Sequence, residues 1–478
     1  MVNTDEPWPD SDAAWVRVLK IQTKLHQWAT DDSNRRFDDL YNLVSDPAFL
    51  VIAWERVRGN RGARSAGVDG VKPRSIVFGV EALLSGLRAE LKDRTFRPLP
   101  VREHMIPKAN GKLRRLGIAT VRDRVVQASL KLVLEPIFEA EFRPCSYGFR
   151  PKRRAQDAIA EIHQFTSRSY EWILECDITA CFDEISHVGL MDRLRARIGD
   201  KRVLELIKAF LKAGILSEDG IERDTLTGCP QGGILSPLLS NVALSVLDDH
   251  FAEAWAAMGA TSSQRQQRRR KGLATYRIVR YADDFVVLVS GTRAHAEALK
   301  DEVAGVLAPM GLRLSEEKTK IVHIDEGFDF LAFRIRRDTR RGSRKRFVYT
   351  YPSKKALASI KAKVRAVTKQ NTNQPLSKIL GQLNAILRGW TNYHKHGAAK
   401  ATFGYLRHFT LWRVVHWLRR RHPRANWKQL RRRYLGSEWW PKEGKEVLFD
   451  TSAVAITRYR YRAANIPTPW STKTIGAA

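Results

Sequence analysis

Cysteine and long apolar segments are the two features that this sequence of 478 residues has least of. None of its four cysteines belongs to a C-x-x-C pair or to a Cys/His set with zinc-finger spacing. The sequence therefore argues against a disulfide framework and predicts no structural zinc site. Cys176 and Cys181 lie among apolar residues, which indicates small buried side chains. No apolar run reaches the roughly 20 residues of a membrane span.

The N-terminus also lacks the features of a secretory signal. Residues 1–12 are polar and acidic, without the basic start and apolar stretch that such signals need. Together with the missing membrane span, this predicts a cytoplasmic protein that has no membrane partner.

Acidic residues are outnumbered by basic ones. Lys and Arg total 83 against 51 Asp and Glu, so the net charge is +32 and the isoelectric point is about 10.3. An excess of this size favours a polyanionic partner, with nucleic acid as the first hypothesis and an anionic membrane surface as the second.

The excess is largest in residues 401–440, where ten Lys/Arg face one acid and five tryptophans are interspersed. Cations that meet phosphates and rings that stack on bases are typical of a nucleic-acid surface. Most of the tryptophans are nevertheless expected to be helix-core residues. The side chains predicted to bind nucleic acid are Arg419, Arg420, Arg421, Arg431, Arg432 and Arg433.

Hydrophobic periodicity divides the chain into four regions. Residues 1–70 read as a helical extension, 71–345 alternate strands with helices, 346–440 are helical, and 441–478 form a basic tail. Thr120 has the position of an N-cap, and the apolar face of the helix it would begin contains Val126, Leu130, Val133, Leu134 and Ile137. His394 and His396 are expected on a helix surface rather than as metal ligands. The fold class is α+β.

Adjacent acids stand between two apolar runs at residues 278–289, a pattern that predicts a β-hairpin. Asp283 and Asp284 would repel each other at its turn, and a divalent metal ion would offset that repulsion. Asp177 follows a short strand-forming run and is the candidate for a third carboxylate, although Asp183 lies nearby. Three such carboxylates on adjacent strands could hold two Mg²⁺ ions and promote phosphoryl transfer.

A series of collinear segments then resembles a known family. YADD at 281–284 resembles the catalytic hairpin of reverse transcriptases, and residues 176–186 and 228–241 resemble two further palm motifs. Residues 105–127, SYGFRP at 146–151 and the pair 312–321 and 328–335 are similar to the group II intron branch of that family. Residues 375–396, 417–435 and 457–470 resemble its maturase and DNA-binding regions.

The resemblance implies a right-hand polymerase: fingers and an antiparallel palm sheet within 71–345, a thumb or maturase domain at 346–440, and a DNA-binding-like tail at 441–478 without an HNH nuclease. It implies that Asp177, Asp283 and Asp284, with the backbone carbonyl of Ile178, bind two Mg²⁺ ions. Phe182 would exclude the 2′-hydroxyl of a ribonucleotide. The remaining residues that would contact the incoming nucleotide are Lys108, Arg114, Gln231 and Lys318.

The implied function is RNA-directed DNA synthesis on a group II intron RNA, with binding of that RNA to assist splicing and mobility. The implied partners are intron RNA, target DNA and deoxynucleoside triphosphates, in a bacterial cytosol and on the nucleoid when DNA is bound. One departure from the family is Ala332, where glycine is usual, and it bears on backbone placement near the primer.

Three alternatives stay open. The first is a non-intron bacterial reverse transcriptase linked to defence or CRISPR, against which residues 375–396 speak. The second is an RNA-binding splicing cofactor without polymerase activity, against which the three aspartates speak. The third is an RNA-dependent RNA polymerase, which Phe182 disfavours because a ribonucleotide needs room at that position.

Overall fold

The computed structural model describes residues 8–107, 111, 113–217, 219–223, 225–435 and 439–471. The described chain forms two compact units. The first unit consists of residues within 1–154, 174–321 and 463–478, and the second of residues 155–173 and 322–462. The predicted division into fingers, palm, thumb and tail stays a prediction. Within the described ranges, no helix combines the length and the apolar character that crossing a membrane requires.

Helices make up most of both units. They are α1 (Ser11–Asp31), α2 (Tyr41–Val44), α3 (Pro47–Gly59), α4 (Val80–Lys92), α5 (Val121–Glu141), α6 (Ala155–Thr166), α7 (Cys181–Glu184), α8 (His187–Arg197), α9 (Lys201–Leu211), α10 (Ser236–Ala257), α11 (Ser262–Arg270), α12 (Arg293–Leu307), α13 (Lys354–Lys369), α14 (Leu376–His394), α15 (Lys400–Arg421) and α16 (Trp427–Tyr434). Short 3₁₀ turns occur at Arg61–Arg64, Pro73–Ser75, Ala308–Met310 and Thr451–Ala453.

The strands pair into small, mainly antiparallel sheets. They are β1 (Val101–Pro107), β2 (Leu113–Ile118), β3 (Trp172–Cys176), β4 (Ile215–Leu216), β5 (Glu222–Arg223), β6 (Thr275–Tyr281), β7 (Asp284–Ser290), β8 (Lys320–His323), β9 (Phe328–Phe330), β10 (Phe333–Thr339), β11 (Arg346–Pro352), β12 (Lys442–Glu443) and β13 (Glu446–Val447). The sheet orders are β2-β1-β4-β5, β6-β7-β3-β8, β11-β10-β9 and β12-β13.

Helix α5 forms the centre of the first unit. The side chain of Thr120 accepts a hydrogen bond from the backbone N–H of Asp123, which confirms the predicted N-cap. The predicted apolar face is completely buried, and α1 and α3 pack against this helix. Pro136 lies inside the helix, five residues before its end. All four cysteines are buried and unpaired, as the lack of any C-x-x-C pair predicts.

The second unit has its own core, built from α13, α14 and α15 around Trp417. Trp417 and Trp440 are buried and Trp427 packs against the core, as expected of helix-core residues, whereas Trp412 and Trp439 are largely exposed. The expectation that His394 lies on a helix surface is wrong. Its side chain is 1% exposed and contacts the rings of Phe333, Trp390 and Tyr393.

Candidate active site

The catalytic candidates Asp283 and Asp284 lie at the turn of the predicted hairpin. Strands β6 and β7 pair antiparallel, and Tyr281 opposite Asp284 is their last pair. The turn therefore has only two residues, Ala282 and Asp283, and Ala282 adopts a left-handed conformation with φ of 58°. The strands on either side are largely buried and Asp283 is half-buried, whereas Asp284 reaches solvent although protein atoms surround much of its carboxylate. This geometry presents two carboxylates at the edge of an apolar sheet.

Asp177 follows the neighbouring strand. Strand β3 lies beside β7 in the sheet and ends at Cys176, and the charge of Asp177, the next residue, acts on Asp284. The two adjacent strands thus bring the three predicted carboxylates to one site. Asp183, the other candidate, lies on α7 and its carboxylate accepts a hydrogen bond of 3.4 Å from the Gln231 amide.

The electrostatics of Asp284 show that these groups interact. Its pKa is raised to about 6, first because surrounding protein atoms desolvate the carboxylate and then because Asp283 and Asp177 repel its charge. Lys318 and Arg114 act in the opposite direction and lower this pKa. Two acids and two cations therefore lie within electrostatic range of Asp284. Together with Asp284 they come from four separate segments of the chain, because only Asp283 and Asp284 are neighbours in sequence.

The segment 312–321 lies directly along Asp177. The ammonium group of Lys318 donates a hydrogen bond of 2.7 Å to Asp177 Oδ2, and both side chains are partly exposed. The backbone N–H of Ser315 donates to the carbonyl of Asp177 over 2.7 Å, and Thr179 donates to Arg313 over 2.9 Å. These two bonds flank Ile178, and the role of its carbonyl as a metal ligand stays a prediction.

The segment 228–241 packs against Phe182. The backbone N–H of Cys229 donates to the Phe182 carbonyl over 2.6 Å. Gly228 has a φ of 86°, and a Cβ there would lie 2.7 Å from the same carbonyl oxygen, so a larger residue would not fit. The carbonyl of Gln231 accepts a hydrogen bond of 2.7 Å from Gly117 on β2. These bonds fix the backbone at Phe182 and at Gln231, and the ring of Phe182 is half-buried.

The cations predicted to bind the triphosphate come from the β1–β2 hairpin. Arg114 lies on β2 opposite Ile106, and its side chain is exposed. Its positive charge lowers the pKa of Asp284, while its role in binding the triphosphate stays a prediction. Lys108 lies outside the described residues.

Arg280 is a functional residue that the sequence reasoning missed. It stands on β6 directly before Tyr281 and is completely buried. Its guanidinium group donates to both carboxylate oxygens of Asp248, to Asn241 Oδ1 over 3.0 Å and to Ser146 Oγ over 2.8 Å. A further hydrogen bond of 3.0 Å goes to the carbonyl of Ala282, within the catalytic turn. Arg280 thus connects α10 to the turn that presents the aspartates.

The segment SYGFRP holds the same turn from the other side. A Cβ on Gly148 would lie 2.3 Å from the backbone nitrogen of Ala282, so only glycine permits this approach. The carbonyl of Gly148 accepts a hydrogen bond of 2.8 Å from Asn241. One signal for this network was present in the sequence: a charged residue in an apolar strand needs a buried partner.

The six arginines predicted to bind nucleic acid lie on α15 and α16. Arg420 and Arg421 donate to the carbonyls of Thr368 and Gln374, so part of their hydrogen-bonding capacity is already used. Three others lie over aromatic rings: Arg419 over Trp427, Arg431 over Trp439 and Arg433 over Tyr434. Their role in binding nucleic acid stays a prediction.

Comparison with known proteins identifies the family of this chain. Residues 106–335 match the family model of reverse transcriptases (RNA-dependent DNA polymerases), and residues 357–435 match the maturase-specific domain of group II introns. The chain is 37% identical to the protein YkfC of Escherichia coli over 71% of this chain and 93% of that protein. It is 31% identical to the group II intron-encoded protein LtrA of Lactococcus lactis over 67% of this chain and 60% of that protein.

The search of solved structures also found matches to a telomerase from Candida albicans and to a partial Cas6-RT-Cas1–Cas2 complex. The telomerase is 13% identical with a TM-score of 0.38, covering 70% of this chain and 62% of that one. The Cas complex chain is 23% identical with a TM-score of 0.32, covering 56% and 42%. The family match of residues 106–335 gives the mixed α/β reverse transcriptase fold, and the protein is an RNA-directed DNA polymerase. The chain belongs to the reverse transcriptases that carry a group II intron maturase-specific domain.

Proposed function

We propose that this protein copies a group II intron RNA into DNA and binds that RNA to assist its splicing and mobility. The observation that carries the polymerase part is the grouping of Asp177, Asp283 and Asp284 on two adjacent strands, with Arg114 and Lys318 beside them. The match of residues 357–435 to the maturase-specific domain supports the intron RNA as the template. Deoxynucleoside triphosphates and target DNA are the other proposed partners, in the cytosol and on the nucleoid.

Reverse transcriptases generally use Mg²⁺, and the residues of this site fit that ion. Within the described ranges, no three carboxylate, imidazole or thiol groups are already close enough to bind one ion. The mutual repulsion that raises the pKa of Asp284 is, however, what a cation would relieve, and carboxylate oxygens are the ligands that Mg²⁺ prefers. The proposed ligands of two ions are Asp177, Asp283, Asp284 and the Ile178 carbonyl.

The bound ions would lower the pKa of the primer hydroxyl and would neutralise charge at the phosphates. Each remaining task falls to a residue of the chain. Arg114 can grip triphosphate oxygens bidentately, and Lys108 would add a point charge. Gln231 would lie against the incoming nucleotide. Lys318, which pairs with Asp177, would give the proton on its ammonium group to the leaving pyrophosphate.

Phe182 is the proposed sugar gate, because its backbone is fixed by Cys229 and its ring would fill the volume of a 2′-hydroxyl. We expect Phe182→Ala to incorporate ribonucleotides in steady-state assays that compare each nucleotide with its deoxy form, while deoxynucleotide incorporation persists. Phe210→Ala, which removes a buried ring of the same unit away from α7, is the control for general loosening. Unchanged sugar selectivity in Phe182→Ala would contradict the gate.

The decisive experiment is primer extension on an RNA template with Mg²⁺ and deoxynucleotides. We expect synthesis by the wild type, none by Asp283→Ala, and wild-type synthesis by Glu297→Ala, an exposed acid of α12 that pairs with Arg293. RNA binding by Asp283→Ala should stay close to wild type, which separates lost chemistry from lost folding.

Absence of synthesis from a folded wild type that binds intron RNA would favour the alternative of a splicing cofactor. Synthesis without any preference for intron RNA would favour a non-intron bacterial reverse transcriptase. Structured intron ends around the gene would speak against the latter.

A further inference from the structure

A large cavity lies within the second unit, apart from the three aspartates. Its volume is about 960 Å³. Four segments form its walls: helix α6, the β10–β11 hairpin, the turn at residues 396–398 and the segment 456–461. None of the proposed catalytic residues lines it.

Hydrogen bonds hold three of these walls together. The ring of His163 on α6 bonds to the carbonyl of Val348 on β11 over 3.1 Å. The backbone N–H of Ala398 donates to the carbonyl of Thr350 over 2.7 Å. A Cβ on Gly397 would lie 2.5 Å from that carbonyl oxygen, so the turn approaches β11 as closely as glycine allows. The cavity is therefore built into the unit and does not depend on a bound ligand for its shape.

The fourth wall is anchored to α6 by buried acids. Arg462 donates to Asp157 in a bidentate pair of 2.8 and 2.9 Å, and the Tyr459 hydroxyl donates to the same carboxylate over 3.0 Å. The Tyr461 hydroxyl donates to Glu161 over 3.2 Å. Asp157 and Glu161 are almost completely buried. Their charges are compensated by these hydrogen-bond donors and do not face the cavity.

The cavity itself is cationic. No lining residue carries a carboxylate, whereas Arg340, Arg458 and Arg460 are exposed at its edge. As far as the structure describes the chain, none of these three arginines forms an ion pair. Burial lowers the pKa of His163 and the nearby charge of Arg458 adds to this effect, so the histidine is neutral and does not contribute charge. A cavity lined in this way suits a ligand that carries an anionic group and is otherwise uncharged.

Aromatic rings line the same space. Phe347 lines the cavity and is 44% exposed. Tyr349, two residues further along β11, is half-buried and stacks on Tyr351 with ring centres 5.8 Å apart. Accessible rings beside unpaired arginines are the combination that binds single-stranded nucleic acid, because bases stack while phosphates meet cations. The cavity volume falls within the range of small-molecule sites, roughly 300–1,000 Å³.

We propose that this cavity binds one unpaired nucleotide of an RNA strand. The base would lie against Phe347 and Tyr349, and the adjoining phosphates would bind Arg458 and Arg460. A paired base cannot enter, since it would have to leave its helix, so the site distinguishes single-stranded from double-stranded segments. The choice of RNA over DNA rests on the proposed function. The cavity, its charges and its rings are observed independently of that function.

Photocrosslinking tests the site directly. The full-length protein is first saturated with an unlabelled primer–template, so that the polymerase site is occupied. A short oligoribonucleotide with one 4-thiouridine is then added and irradiated, and the crosslinked peptides are identified. We expect crosslinks in residues 347–349 or 456–461, none when the thiouridine is base-paired, and effective competition by unlabelled RNA but not by free uridine monophosphate or DNA.

Variants make the same test quantitative. We expect Phe347→Ala to weaken oligoribonucleotide binding about 10-fold, as the loss of one stacked base does, and to spare the fold because the ring is accessible. The double variant Arg458→Gln/Arg460→Gln should weaken it by a similar factor at low salt. The matched control is Arg341→Gln/Arg344→Gln, which removes the same charge from the turn of the β10–β11 hairpin outside the cavity.

Equal losses in the test and control pairs would overturn the proposal, because they would show only general attraction between charges. Crosslinks confined to other segments, or a preference for DNA or for the free nucleotide, would overturn it as well. Primer extension on a short template should continue in all these variants. Loss of crosslinking with intact synthesis thus separates this site from the proposed polymerase function.

Discussion

Arg280 of the first unit and His394 of the second are both buried basic side chains, but their surroundings are opposite in kind. Arg280 of the first unit is charged and surrounded by acceptors from Asp248, Asn241, Ser146 and Ala282. His394 of the second unit is surrounded by aromatic rings, and its Nδ1 has no hydrogen-bond partner among the described residues. A buried charge thus persists only where the fold supplies acceptors for it.

The pKa values express the same difference. Burial by itself lowers the pKa of Arg280, but the charge and hydrogen bonds of Asp248 outweigh this effect and raise the pKa. Burial lowers the pKa of His394 to about 4, with no group to oppose it. Arg280 can therefore hold the catalytic turn through its charge at any physiological pH, whereas His394 contributes only packing and does so only while neutral.

The largest expected effect comes from breaking the Arg280 network. Arg280→Met should lower the free energy of unfolding by about 3–5 kcal/mol, because it leaves the Asp248 carboxylate buried without its cation. Urea titration followed by circular dichroism measures this loss. Arg277→Met is the control on the same strand, and we expect it to cost about 1 kcal/mol or less because Arg277 is only half-buried.

The double variant Arg280→Met/Asp248→Leu separates stability from positioning. Replacing both partners by apolar residues should recover much of the lost stability. Primer extension should nevertheless stay impaired, since the Ala282 carbonyl has lost the donor that fixes the turn. Full recovery of synthesis together with stability would show that Arg280 has only a structural role.

The second prediction concerns how the burial of His394 makes the stability of the protein depend on pH. The folded-state pKa of about 4 is below the ordinary 6.5, so the unfolded chain binds the extra proton first. Stability from this group is therefore complete above pH 6.5 and is lost as the pH falls towards 4. The loss is about 2 kcal/mol at pH 5 and reaches about 3 kcal/mol below pH 4.

Unfolding of the wild type and of His394→Leu between pH 4 and 7 measures this difference, because the other acids titrate in both proteins. The advantage of the variant should grow as the pH falls. His408→Leu, which removes an exposed histidine from α15, should not change the pH profile. Parallel profiles for His394→Leu and the wild type would contradict the assignment of a neutral, buried imidazole.

The sequence anticipated the local structure of the site better than its supporting contacts. The hairpin around Asp283, the N-cap at Thr120 and the strand before Asp177 each follow from patterns within a few residues, and the structure confirms them. Asp248 could not be identified as the partner of Arg280, because the two are 32 residues apart and many acids were available. Their pairing depends on how α10 packs against β6.

His394 was wrongly expected on the surface although the sequence contained the opposite signal. Leu380, Leu383, Leu387 and Trp390 lie at helical spacing, and the next position on that face is His394. The polar character of the residue type outweighed its position in the pattern. Periodicity decides which face a helical residue occupies, and burial then determines the charge that it carries.

The smallest expected effect concerns backbone strain, which can be compared between the two units as buried charge was. Each unit has an alanine in a left-handed turn: Ala282 with φ of 58° and Ala332 with φ of 67°. Leu331 precedes Ala332 with φ of 46°, so the two residues between β9 and β10 are both left-handed. The family usually has glycine at the second of these positions, and the structure shows why alanine is strained there.

Ala332→Gly should therefore raise the free energy of unfolding by about 1 kcal/mol, because relief of the left-handed strain exceeds the added freedom of the unfolded chain. The carbonyl of Ala332 keeps its hydrogen bond of 2.9 Å from Ser353 in either case. Ala358→Gly on the exposed face of α13 is the matched control and should cost about 1 kcal/mol, the opposite sign. If both variants were destabilised equally, the turn would not be strained, and the alanine at this position would be as acceptable as the glycine it replaces.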